Sequence, residues 1–248
     1  MKTNRPSTWL LTLTMTIAVA ALLPAAPPSA GPPDLESGYL EVEGGRVFYE
    51  AAGEGPVVVL THDGLLHRET WNGQLAAFAE THRVVRWDRR GYGRSDVPTV
   101  PFVNSRDLAA LVASLDVERV SLVGCSMGSL VTLEFALEHP DKVSSLVLVG
   151  PIVSGFGFSD HFRSRGGRGM PSRDAPVDQR IEYWTTVDPW ATAPESTSAR
   201  QAMKALMMAN PHNLTGAAGL SRSPGFAARG RLSEIQVPTL IVVGESDM

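Results

Sequence analysis

Gly124-Cys125-Ser126-Met127-Gly128 is the stretch of this 248-residue chain in which residue type and spacing most strongly suggest covalent chemistry. A serine with a glycine two residues to either side follows an apolar run, Val120 to Val123, and opens a segment patterned as a helix, Met127 to Glu138. In that context G-x-S-x-G marks a sharp strand-to-helix turn. The glycines remove Cβ atoms that would collide, and the serine is held out in a strained conformation at the end of the strand. The helix behind it points its N-terminus at the site, where unpaired N–H groups and the helix dipole favour developing negative charge. The chemistry this suits is attack of a hydroxyl on a carbonyl carbon, with amides holding the oxyanion that forms. Cys125, the single thiol of the chain, is expected to be a small packing residue.

The elements that must position this turn are legible on either side of it. Tyr39 to Val42 and Arg46 to Ala51 flank Glu43-Gly44-Gly45 and read as a hairpin. Pro56 to Thr61 is a continuous apolar run of the kind buried on both faces of a parallel sheet. Strands at Arg83 to Trp87, Val120 to Val123 and Lys142 to Val149 then alternate with helices near Gln74 to Glu80, Ser105 to Leu115 and Met127 to Glu138. The alternation predicts an α/β fold: a mostly parallel central sheet with helices on both faces. Between Ile152 and Leu232 the rhythm breaks, and helical patterns near Asp178 to Thr186 and Pro194 to Ala209 read as an inserted helical cap. There Trp184, Trp190, Met203 and Met207 either wall an apolar pocket or form the cap's own core. The sheet resumes at Pro238 to Val243.

Composition excludes some functions. The formal net charge is −4, and without a cluster of Lys and Arg nucleic acid is not an expected partner. Lys2 and Arg5 precede an apolar stretch from Trp9 to Leu23 that ends among small residues and prolines. This reads as a signal peptide over residues 1–30, with export to the periplasm or exterior and no membrane span left after its removal. The remaining divisions are a first core part at 31–151, the cap at 152–232 and a last core part at 233–248.

Three motifs, in order, resemble the α/β-hydrolase superfamily, in its esterase, enol-lactonase and cofactor-free haloperoxidase-like branch. They are His62-Asp63-Gly64 after the third strand, Asp88-Arg89-Arg90-Gly91-Tyr92-Gly93-Arg94-Ser95 after the fourth, and the Ser126 turn. The resemblance implies that the backbone N–H groups of Met127 and Gly64 form the oxyanion hole. Asp63 departs from the family pattern, which has glycine there, and is expected to cap the loop or face solvent. The three arginines of the second motif are expected to be scaffold, their charges solvated at the surface. Gly244-Glu245-Ser246-Asp247 resembles the turn that bears the family's acid, which makes Asp247 the candidate and Glu245 the reserve.

The family's base is a histidine after the acid, and none follows Asp247. The last strand and helix, roughly 25 residues at ordinary element lengths, are expected to be missing. Of the six histidines present, His62 occupies a structural position and His67 lies near the pocket mouth. His82 and His139 sit at element ends, and His161 and His212 lie in the cap. The sequence therefore reads as a serine hydrolase acting on a carboxylic ester or lactone through an acyl-enzyme. The alternative is a truncated or non-catalytic relative lacking the histidine. His62, Asp63 and His67 have no fourth ligand to complete a metal site, and no cofactor is expected.

Overall fold

The computed structural model describes residues 34–157, 160, 171–172, 174–187, 196–214 and 217–244. The expected signal peptide at 1–30, together with His161, Trp190, Glu245 and Asp247, lies outside the described residues.

Apolar runs at the centre and alternating segments at the hairpin build a seven-stranded sheet. Its strands are β1 (Glu36–Val42), β2 (Gly45–Ala52), β3 (Val57–Thr61), β4 (Arg83–Trp87), β5 (Val120–Cys125), β6 (Val143–Val149) and β7 (Thr239–Val242). They lie in the order β1-β2-β4-β3-β5-β6-β7. The β1–β2 and β2–β4 pairings are antiparallel and the other four are parallel. The hairpin begins earlier than its apolar alternation suggests: Glu36 already pairs with Ala51, because backbone pairing does not need an apolar side chain at an exposed strand end.

Alternate residues of β3 enter different cores, as the two-residue period of a strand requires. Val57 and Val59 join Val85, Trp87 and Leu122 against α2 (Asn104–Ser114) and α3 (Met127–Glu138), through Leu108, Leu111, Val131 and Phe135. Val58 and Leu60 face the other way, with Val84, Val123, Trp71 and Leu75, the last on α1 (Asn72–Ala79). Helices thus cover both faces of a mostly parallel sheet.

After β6, the segment 178–186 is not one α-helix. It runs as α4 (Val177–Glu182) and widens into a π-helical turn at Tyr183–Val187. The Thr185 hydroxyl donates to the Ile181 carbonyl at 2.8 Å. Such back-bonding and the β-branched run Thr185-Thr186-Val187 both disfavour a regular α-helix. Next comes α5 (Thr197–Ala209), whose first turn is capped by Ser196 Oγ accepting from the Ala199 N–H at 3.3 Å. Ile181, Met203, Met207 and Leu214 form a small core against Trp184, Leu65 and Leu66. Met203 and Met207 are therefore core rather than pocket wall, because the i, i+4 spacing that aligns them turns both inward.

Among the described residues β7 is the outer strand, with Leu240 and Ile241 more than half exposed. No helix among them is long and apolar enough to cross a membrane.

Candidate active site

Ser126 sits between the end of β5 and the first turn of α3 with φ 50° and ψ −115°, a conformation that non-glycine residues rarely adopt. Two backbone anchors hold it there. Its N–H donates to the Val149 carbonyl at 2.8 Å, and its own carbonyl accepts from the Ser129 N–H at 2.9 Å. The flanking glycines are obligatory on steric grounds: a β-carbon at Gly124 would lie 2.6 Å from the Gly128 carbonyl oxygen and from Ser129 Cα. The Ser126 side chain does not cap α3. Among the described residues its hydroxyl has no hydrogen-bond partner, and it remains partly exposed.

The loop after β3 comes up beside this turn. A β-carbon placed on Gly64 would lie 3.0 Å from Met127 Cγ, so the fold brings together the two residues expected to supply oxyanion donors. Among the described residues, neither the Gly64 nor the Met127 N–H has an acceptor. Paired backbone groups are the rule, and two unpaired N–H groups beside an uncommitted hydroxyl form an arrangement suited to binding negative charge.

Asp63 caps the loop, as the sequence suggests: Oδ1 accepts from the N–H groups of Leu65 and Leu66 at 2.6 and 2.9 Å. His62 is wholly buried. Its Nδ1–H donates to the Asp63 carbonyl at 2.7 Å, and its Nε2 accepts from the Arg89 N–H at 3.0 Å. Both ring nitrogens are spent, so His62 cannot serve as base. Burial, helped by the Arg89 guanidinium, also holds its pKa well below the ordinary range and keeps it neutral. His67 does not reach an open pocket mouth. It is 1% exposed, and its Nε2 accepts from Asn210 Nδ2 at 2.7 Å. His82 is tied to Thr81 Oγ1, and His139 lies tilted against the Phe135 ring at the end of α3. His212 Nε2 bonds the Gly93 carbonyl at 3.0 Å.

The turn after β4 corrects one expectation. Arg94 is exposed, but Arg89 and Arg90 are each only 2% exposed rather than solvated at the surface. Arg90 forms a two-pronged pair with Asp107, both bonds 2.7 Å. Asp88 accepts from the Arg68 N–H, from Arg68 Nη1 and from the Arg94 N–H, all at 2.8 Å. Arg68 also meets Glu50 at 2.9 Å, and Glu50 meets Arg86 at 2.7 Å. Sequence reading missed this buried ionic lattice, because its members are scattered over four elements and share no spacing. Tyr92 joins the same turn to the loop, its hydroxyl donating to the Gly64 carbonyl at 3.0 Å. Asn213 Oδ1 accepts from the Gly93 N–H at 3.1 Å, so the segment after α5 is pinned to the same turn.

A cavity of about 330 Å³ lies elsewhere, between the π-helical turn and α5, lined by Thr185, Thr186, Thr197, Arg200, Gln201 and Lys204. None of its residues belongs to the Ser126 turn or the His62 loop.

The profile of the alpha/beta hydrolase fold family matches residues 56–248. This chain belongs to that family. This α/β hydrolase is 36% identical over 121 residues to an uncharacterized protein of Mycobacterium tuberculosis, covering 48% of this chain and 35% of that one. The chain thus aligns with only about a third of that relative's length. With the pimeloyl-[acyl-carrier protein] methyl ester esterase of Vibrio atlanticus it shares 32% identity over 216 residues, 81% of this chain and 80% of the relative. Among solved structures, the esterase RhEst1 from Rhodococcus sp. ECU1013 superposes with a TM-score of 0.69 at 25% identity, covering 85% of this chain and 80% of that one.

Proposed function

We propose that this α/β hydrolase is a serine hydrolase that cleaves a small carboxylic ester or lactone through an acyl-enzyme. Ser126 Oγ attacks the carbonyl carbon and yields its proton to a general base, and the carbonyl oxygen takes up negative charge opposite the Met127 and Gly64 N–H groups. The alkoxide then leaves with a proton, and water releases the acid from the Ser126 ester. Asp247 is proposed to orient the base. His62 is not placed to be that base, since both its ring nitrogens are engaged. The segment between β6 and β7 is proposed to act as a cap that selects the substrate.

The observation that carries this reading is the Ser126 turn itself: a strained serine with an uncommitted hydroxyl, flanked by two backbone N–H groups that have no acceptor among the described residues. Esterases among the relatives support an ester as substrate. The test is incubation of the full chain with a fluorophosphonate, followed by intact-mass spectrometry. A single adduct that disappears in Ser126→Ala is expected. An unlabelled wild-type protein, or labelling that survives the substitution, would overturn the reading.

A further inference from the structure

Arg89 is anomalous among the buried arginines. Arg68, Arg86 and Arg90 each meet a carboxylate. Arg89 is as deeply buried, yet among the described residues no carboxylate lies within salt-bridge distance of it, and its Nε has no partner. Its guanidinium lies 4.5 Å from the centre of the Tyr92 ring, and its Nη2 donates to the Asp63 carbonyl at 2.5 Å. A buried cation without a counter-charge is destabilising unless its surroundings use the charge.

The carbonyl it touches belongs to the peptide whose other end is the Gly64 N–H. A trans peptide is planar, so its C=O and N–H point in opposite directions and turn as one body. The Asp63 oxygen takes two donors, His62 Nδ1 at 2.7 Å and Arg89 Nη2 at 2.5 Å, which occupies both lone pairs and fixes the plane. Arg89 governs both contacts. Its main-chain N–H on His62 Nε2 forces the imidazole proton onto Nδ1, and its side chain supplies the second donor. A charged donor on a carbonyl also draws electron density from the amide nitrogen, which strengthens the N–H as a donor.

We propose that Arg89 is a positioning residue for the oxyanion site: its guanidinium, which meets no carboxylate among the described residues, fixes and polarises the Asp63–Gly64 peptide, so that the Gly64 N–H is held ready for developing negative charge. This rests on the proposed role of Gly64 in ester hydrolysis. The guanidinium itself touches no substrate and acts through one peptide unit.

The experiment compares wild type with Arg89→Met and Arg89→Gln, which are neutral, and Arg89→Lys, which keeps the charge. Hydrolysis of p-nitrophenyl butyrate should show kcat lowered about tenfold in both neutral variants, a fraction of the ~10²-fold typical for loss of a whole oxyanion donor. KM should stay near the wild-type value, Arg89→Lys should keep most of kcat, and the melting temperature of the neutral variants should not fall. A kcat unchanged in the neutral variants overturns the proposal. So does a loss of kcat that tracks a fall in melting temperature and is not rescued by lysine. A second readout needs no turnover: with ¹⁵N-glycine labelling, the Gly64 amide nitrogen should shift in the neutral variants and stay close to wild type in Arg89→Lys. If wild type shows no Ser126-dependent labelling, the hydrolase reading fails by itself. An unmoved Gly64 resonance then separately overturns the role of Arg89, and a shifted one upholds its polarisation of that peptide.

Discussion

Gly128 lies against the backbone of Thr61, so that a β-carbon added to the glycine would overlap the Thr61 carbonyl oxygen and sit 2.5 Å from that of His62. The end of β3 and the start of α3 are in contact here with no room for a methyl group, and this contact sets the His62-Asp63-Gly64 loop beside the Ser126 turn. Backbone atoms, unlike the tip of a side chain, cannot move aside cheaply. Gly128→Ala should therefore cost about 1–3 kcal/mol or more in stability and reduce fluorophosphonate labelling as well. Urea denaturation measures the first, and a change below about 0.5 kcal/mol, typical of an innocuous surface substitution, would refute the close approach.

The strained backbone of Ser126 makes a separate prediction. A non-glycine residue in a sparsely populated region costs of order 1–3 kcal/mol, and glycine there escapes most of that but carries its own entropic cost of roughly 0.5–1 kcal/mol. Ser126→Gly and Ser126→Ala both remove the hydroxyl, so comparing the two isolates the backbone. The glycine variant should be the more stable by about 1 kcal/mol. Equal denaturation midpoints would show that the turn carries no strain.

The Arg90–Asp107 pair ties the turn after β4 to the first turn of α2, with both side chains 2% exposed. Removing one partner leaves an uncompensated buried charge, so Arg90→Met should cost about 3–5 kcal/mol. The double variant Arg90→Met/Asp107→Leu should recover most of that loss, because it is the orphaned carboxylate that destabilises. A double variant no better than the single one would show that packing, rather than charge, dominates here.

Glu134 gives the protein a pH-dependent stability. It lies on α3, 5% exposed, beside a small apolar cluster that includes Leu133, Leu137 and Ala228. Burial, reinforced by Glu138 and opposed by the Ser154 hydroxyl, pushes its carboxyl up from 4.5 to about 7. A carboxyl with a raised folded-state pKa binds its proton more tightly in the folded chain than in the unfolded one. Its contribution is thus fully present below pH 4.5 and is lost as pH rises through about 7. Glu134→Gln should be insensitive over that window, so wild type should lose ground to it between pH 5 and 8 in thermal melts. A constant gap between the two proteins across that range would rule the linkage out.

Much of the fold was legible because period and run length report burial directly. Val57-Val58-Val59-Leu60 is apolar on both sides of the strand, which only a sheet covered on both faces can accommodate. The Ser126 turn was legible for a local reason as well: two glycines and a serine between a strand pattern and a helix pattern describe a steric necessity confined to five residues. The π-helical turn at Tyr183–Val187 was not legible, because it depends on which carbonyl the Thr185 hydroxyl chooses. Nor was the burial of Arg89 and Arg90, since charge in a sequence carries no mark of whether a partner waits in another element.

The sequence by itself determined the mostly parallel α/β architecture and the strand-to-helix turn at Ser126, since both follow from patterns a few residues long. Only the tertiary structure decided how those residues are held. Gly64 reaches Met127, Tyr92 reaches the Gly64 carbonyl, and Arg89, which meets no carboxylate among the described residues, donates to the Asp63 carbonyl. Each of these contacts joins segments that the chain brings together only on closing its sheet, and hydrogen bonds and electrostatic fields depend on distance in space rather than on separation along the chain.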